Sequence, residues 1–168
     1  MTHARAARKL HRRQWVPHPI EVVFDFFEHP ENLALITPPW LDLRLRTPGP
    51  VTMRVGLVLD YHVRVLGRTT RWRSLIADYD PPNGFRDVQV LGPYRRWDHL
   101  HRFHRVEGGT VIEDLVVYEP PLGALGRLLD VLVIRRQLAA IFDYRRRRIE
   151  ALLGPGPQAQ AYRTADPR

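Results

Sequence analysis

The sequence predicts an α+β protein in which one long C-terminal helix lies against a curved antiparallel sheet. Three observations lead there. From Leu41 to Glu119 the chain runs through short alternating segments broken by Gly and Pro turns, the period-two pattern of half-buried strands. From Leu122 to Leu153 it has no proline and repeats its apolar residues at helical spacing. One more alternating run and two short helical segments come first. A sheet with a single long helix buries both apolar faces when the sheet curls around the helix.

The first alternating run, "KLHRRQWVP" (Lys9 to Pro17), sets Leu10, Arg12, Gln14 and Val16 against His11, Arg13 and Trp15, and Pro17 ends it. In "HPIEVVFDFFEHPENLALITPPW", Pro19 and Pro30 suit first helical positions, and Ile20, Val23, Phe24 and Phe27 recur at helical spacing. Two short helices are expected, at about 20–28 and 31–36, the second stopped by Thr37-Pro38-Pro39.

Six strands follow. "LDLRLR" (Leu41 to Arg46) alternates and ends at "TPGP". Leu57 to Tyr79 holds two alternating runs that meet at Gly67-Arg68, a hairpin signal. "DPPNG" is a turn cluster, "FRDVQVL" a strand ended by Gly92-Pro93, and "WDHLHRFHRVEGGTVIEDLVVYEPP" supplies two more strands joined at Gly108-Gly109. In the last element Val131, Ile134, Leu138, Ile141, Phe142, Ile149 and Leu152 form the apolar stripe, and Gly154-Pro155 stops it. The tail beyond has no periodicity and is expected to be disordered.

The length of 168 residues fits one domain, expected over 9–153, with 1–8 and 155–168 as flexible tails. There is no cysteine, which excludes disulfides, thiolate metal sites and a Cys nucleophile. No apolar run approaches membrane-spanning length and the basic N-terminus has no signal-type core, so a cytoplasmic location without membrane insertion is expected. Lys+Arg of 26 against Asp+Glu of 18 gives a net charge of +8. All the basic residues but Lys9 are arginine, which beside 15 prolines fits a GC-rich coding bias. The arginines are spread along the chain, and Arg145 to Arg148 point around a helix instead of forming a patch, so no nucleic-acid role is expected.

This order of elements, together with "VFDFFEHPENLALITPPW", "DPPNGFRDVQVLGPYRRWDHLHRF", "GGTVIEDLVVYEPPLGALG" and "FDYRRRRIEALL", resembles the START-like helix-grip superfamily over nearly the whole chain. That superfamily includes polyketide cyclases, aromatases and coenzyme Q-binding proteins. The chain looks most like the small bacterial SRPBCC proteins, some of which occur fused to epimerase-like dehydrogenase domains. The resemblance implies a strand, two short helices and six further antiparallel strands wrapped around the C-terminal helix. It also implies an internal apolar cavity for a lipid, polyketide or other hydrophobic molecule, and it opens the possibility of an epimerase-like dehydrogenase partner. The sequence has no Rossmann fingerprint, so such a dehydrogenase would be a separate chain. The fold alone does not name an activity.

On a strand, Trp97, His99, His101 and Phe103 share one face, and the aromatic residues mark it as the inner one; His104 lies on the other. A Gly108-Gly109 loop would set Phe103 opposite Asp114, His101 opposite Val116 and His99 opposite Tyr118, bringing Ile112, Asp114, Val116 and Tyr118 to the same wall. His99, His101, Asp114 and Tyr118 are then the candidates for proton transfer or oriented hydrogen bonds. They are equally a set of polar groups that satisfy one another inside the sheet. Two histidines two apart plus an aspartate could ligate a metal, but such pairs are common without one, and no metal and no cofactor are expected.

Arg145 falls near the centre of the helical stripe, where a guanidinium needs a route to water, an internal acid such as Asp114, or an anionic group on a ligand. Tyr61 and Trp72 could face the cavity, Tyr94 and Trp40 could rim an entrance, and Asp87 and Gln89, which share a strand face, could reach the pocket or be solvated, with solvent the default. The ligand-contact set is Tyr61, Trp72, Trp97, His99, His101, Phe103, Asp114, Tyr118, Phe142 and Arg145. The expected function is binding of a small hydrophobic or aromatic molecule. A cyclase, aromatase or dehydratase using the cavity His and Tyr residues is the alternative, and an accessory module of an epimerase-like dehydrogenase is a third.

Overall fold

Alternation along the first segment does produce a strand, β1 (Arg8–Val16), with His11, Arg13 and Trp15 turned outward. The computed structural model describes residues 7–65, 67–121 and 130–154. The expected helix start at 122–129 and the tail at 155–168 lie outside them, as do residues 1–6. After β1 come α1 (Ile20–Glu28), two 3-10 segments (Pro30–Ile36 and Pro39–Leu41), β2 (Arg44–Leu45), β3 (Val58–Val65), β4 (Arg68–Asp80), β5 (Gly84–Leu91), β6 (Arg96–Val106) and β7 (Gly109–Glu119). A π-helical turn (Asp130–Ile134) then leads into α2 (Arg135–Leu152).

All neighbouring strands are antiparallel, in the order β1-β7-β6-β5-β4-β3-β2. α1 buries Ile20, Val23, Phe24 and Phe27, the residues whose spacing marked it as helical. Phe24 and Phe27 meet Phe103 of β6 at ring distances of 5.6 and 5.1 Å. Each side chain buried in this way stabilises by roughly 1.5–3 kcal/mol. α2 buries Leu138, Phe142, Arg145 and Ile149.

Four details differ from expectation. The second short helix is 3-10 throughout. β2 keeps only two of its six expected residues, because the Pro39–Leu41 turn ends on Asp42 at φ +41, a left-handed conformation that Asp tolerates and a strand does not. Val131 and Leu152 are 52% and 41% exposed. The first lies in the wide π turn, which rotates it off the stripe, and the second in the last helical turn.

The fourth concerns register. Val106 pairs with Gly109, so the β6–β7 loop is Glu107-Gly108 and the pairs are Phe103↔Ile112, His101↔Asp114, His99↔Val116 and Trp97↔Tyr118. Gly108 adopts φ +74 in the loop. Gly109 is already in the strand, where a Cβ would lie 2.1 Å from the Val16 carbonyl oxygen. The slip of two residues preserves the face of every side chain. Similarly, Arg68 pairs with Val65 and opens β4, while Gly67 alone supplies the positive φ, +79, of that hairpin.

Candidate functional site

A cavity of about 210 Å³ opens between the inner face of the sheet and α2. Tyr61, Trp72 and Trp97 line it from the strands, Leu138, Ile141 and Phe142 from the helix, and Leu33 and Ile36 from the first 3-10 segment. Its polar lining includes Ser74, Asp87, His99, His101 and Arg145. Trp72 and Trp97 meet edge to face at 5.3 Å, with Tyr94 packed 5.0 Å from Trp97. Trp40 meets Tyr144 edge to face and is 49% exposed.

Phe103, Asp114 and Tyr118 stand behind this wall and not on its surface. Phe103 is taken up by the rings of Phe24, Phe27 and Phe85. Tyr118 donates its hydroxyl hydrogen bond to Asp130 Oδ1 at 2.7 Å. Asp114 lies beneath the histidines, accepting a hydrogen bond from one and facing the other.

The two imidazole rings lie 3.7 Å apart, tilted by 35°, each spanning the gap between Asp114 and Asp87. His99 Nε2 donates to Asp114 Oδ1 at 2.9 Å, which leaves His99 Nδ1 3.8 Å from Asp87 Oδ2. His101 Nε2 donates to Asp87 Oδ2 at 3.1 Å. His101 Nδ1 is also 3.1 Å from Asp114 Oδ1, but off line, and makes no hydrogen bond. These donor assignments follow because an ionised carboxylate only accepts. Asp87 also receives Ser74 Oγ at 3.4 Å, and Ser74 in turn receives Trp72 Nε1 at 3.0 Å. Phe85 stacks on His101 at 4.3 Å, and Phe142 meets His99 at 5.7 Å.

Sequence reasoning left Asp87 in solvent. The structure corrects this: its side chain is 17% exposed and belongs to the cavity, because β5 pairs Asp87 with His99. A signal was present, since Phe85, two residues earlier on the same face, is a core residue. Gln89 is half-buried and both donates to and accepts from the Tyr94 backbone, though it does not line the cavity.

Charge in the cluster follows from burial and partners. Burial would raise Asp114, but the Arg145 guanidinium and the two histidines outweigh it and hold the carboxyl well below the usual range. Asp87 is lowered in the same way, burial being overcome first by the His101 hydrogen bond. Burial depresses His99, and the charge on His101 depresses it further. For His101, burial is outweighed by the Asp114 and Asp87 carboxylates on either side, and its pKa rises. The two imidazoles are thus pushed in opposite directions between two carboxylates that their surroundings hold below the usual range. Burial also pushes the Tyr61 phenol up, so it stays protonated.

Arg145 is 7% exposed and lies over the Phe27 and Phe142 rings at 5.4 and 5.6 Å. Its Nη2 is 3.8 Å from Asp114 Oδ1, too far for a hydrogen bond, and its buried Nε has no partner. Asp87, His99 and His101 can each bring one ligand atom within 4.8 Å of the others, a donor set that could hold a divalent transition metal; Asp25, Glu28 and His29 can do so on the surface of α1.

No protein-family model and no curated protein matches the chain. Solved structures do. Protein CV1439 from Chromobacterium violaceum superposes with a TM-score of 0.68 at 12% identity, over 88% of this chain and 98% of that one. Ginseng major latex-like protein 151 from Panax ginseng gives 0.64 at 16% identity, over 89% and 99%. Protein TTHA0849 from Thermus thermophilus gives 0.60 at 19% identity, over 86% and 99%. No helix among the described residues is long and apolar enough to cross a membrane. With its seven-stranded antiparallel sheet curved around a C-terminal helix, the chain has the helix-grip fold.

Proposed function

We propose that the protein binds a small, mainly apolar aromatic molecule in the cavity between sheet and α2. The observation that carries this is the cavity itself: about 210 Å³, walled by Trp72, Trp97, Tyr61 and Phe142, with polar groups gathered around His99 and His101. An apolar enclosure with a few oriented polar groups is how small-molecule sites combine affinity with selectivity. The volume lies below the roughly 300–1,000 Å³ of drug-sized pockets, which favours a ligand of one or two rings. Apolar walls supply the affinity, and the buried cluster fixes the ligand's orientation.

The test is quenching of tryptophan fluorescence by 2-naphthylmethanol, a neutral two-ring probe. Wild type should bind it saturably, and Ile141→Trp, which fills the space from the helix side, should abolish binding while the far-UV circular dichroism is unchanged. No saturable quenching in wild type, or equal binding in the filled variant, removes the proposal.

One observation supports a second reading, an enzyme of the cyclase, aromatase or dehydratase kind. His99 and His101 lie side by side at a cavity wall and are pushed in opposite directions, the relation that suits one to act as base and the other as acid. In that reading the histidines are needed for turnover, and the aromatic walls alone suffice for binding.

A further inference from the structure

We infer that the ligand carries a carboxylate, which the Arg145 guanidinium receives as a fork with His101 beside it. The inference rests on the reading of the cavity as a binding site and names the chemical class that fits it.

Arg145 is the starting point. Among the described residues it makes no hydrogen bond, although it is 7% exposed and lines the cavity. Its one close carboxylate oxygen, Asp114 Oδ1, stands 3.8 Å from Nη2 and already accepts from His99 at 2.9 Å. Nε is buried without any partner. A buried donor with no acceptor forfeits its hydration without compensation, so the group lacks one partner that the protein does not supply. The Phe27 and Phe142 rings, 5.4 and 5.6 Å from the guanidinium carbon, confine the planar group on its aromatic sides. What remains for it is a planar two-oxygen acceptor approaching through the cavity, and a carboxylate matches that fork in shape and charge.

The surroundings of the fork sharpen this. The groups around the polar cluster are Asp87 from β5, His99 and His101 from β6, Asp114 from β7, Arg145 from α2 and the phenol of Tyr61 from β3. Asp87 and Asp114 each already accept a hydrogen bond from an imidazole, and neither hydrogen-bonds the guanidinium, so a ligand carboxylate would supply the acceptor that they do not.

The experiment is isothermal titration calorimetry of the full chain with 2-naphthoate and with 2-naphthamide at neutral pH. Naphthoate should bind about tenfold or more tightly than the amide, as a charged hydrogen bond implies. Arg145→Gln should erase the preference and leave the amide's affinity intact; Arg145→Lys, keeping the charge without the fork, should retain part of it. Equal binding of acid and amide in wild type overturns the inference, as does a preference that survives Arg145→Gln. If only the amide binds, the cavity reading stands and the carboxylate alone is excluded; if neither binds, both fall. Circular dichroism establishes that each variant is folded, and the wild-type comparison decides the matter even where Arg145→Gln is not.

Discussion

Asp114 and Asp130 are both buried carboxylates next to the inner face of β7, yet their surroundings differ. Asp130, fully buried, accepts Tyr118 Oη at 2.7 Å and Arg135 Nε at 3.1 Å, and Arg8 Nε lies 3.2 Å away. Arg8 and Arg135 are 32% and 49% exposed, so their charges stay partly hydrated while their forks reach inward. Around Asp114 the paired arginine is itself buried and stands out of hydrogen-bond range. The first cluster ties β1, β7 and the start of the helix together and leaves nothing wanting. The second lies beside a cavity and keeps a donor in reserve. A satisfied polar network contributes stability, whereas a buried donor left without a partner beside empty space is the observation from which the proposed ligand carboxylate is argued.

The comparison can be broken most forcefully at Asp130. Asp130→Ala strands the tyrosine hydroxyl and two guanidinium groups, and should cost about 3 kcal/mol or more, which in a chain of this size is roughly 10 °C in Tm. Thermal circular dichroism measures it, and a loss under about 1 °C, well below that scale, would show that the cluster is no clamp. The acid-over-amide preference should persist in this variant at low temperature.

A smaller effect separates the clusters by pH. His101 has a pKa raised in the folded state, burial being overcome by its two carboxylate partners. Its contribution is therefore complete below the unfolded value of about 6.5 and is lost as pH rises through the folded value. Over that rise in pH, wild type should lose Tm relative to His101→Gln, whose profile should be flatter there. Parallel profiles would mean that the imidazolium is not held by Asp87 and Asp114. The smallest effect is expected on the outer face: His104, 42% exposed and 2.8 Å from Glu113, should tolerate His104→Gln within about 0.5 kcal/mol. Probe binding, read in the same titrations, should not change.

Much of this was legible in the sequence, for reasons that particular residues show. Alternation placed His99, His101 and Asp114 on one wall, and that survived an error of two residues in the hairpin register because side-chain direction repeats every two residues. Helical spacing found Arg145 in the buried stripe. Which of two adjacent glycines forms a loop was not legible, since the answer depends on how closely β1 passes Gly109. Asp87 was missed because its burial depends on strand pairing with β6 and on Ser74 of β4, neither of which is local. Nothing in the local sequence singled out Asp130. Its partner Tyr118 lies only 12 positions earlier, on β7, but Arg8 comes from β1 at the far end of the described chain.

The placement of β1 beside β7 also governs the order in which the protein can assemble. From β3 onward each strand lies beside the next one in the chain, so pairing can zip forward through hairpins as they form. β1 has no such neighbour: His11 and its partner Glu113 are 102 positions apart, so synthesis delivers β1 long before β7. The long loop must close before that pairing returns any stability, which puts this fold among those dominated by non-local contacts that take milliseconds to seconds. Until it closes, the backbone of β7 is an unprotected margin able to recruit a strand from another molecule.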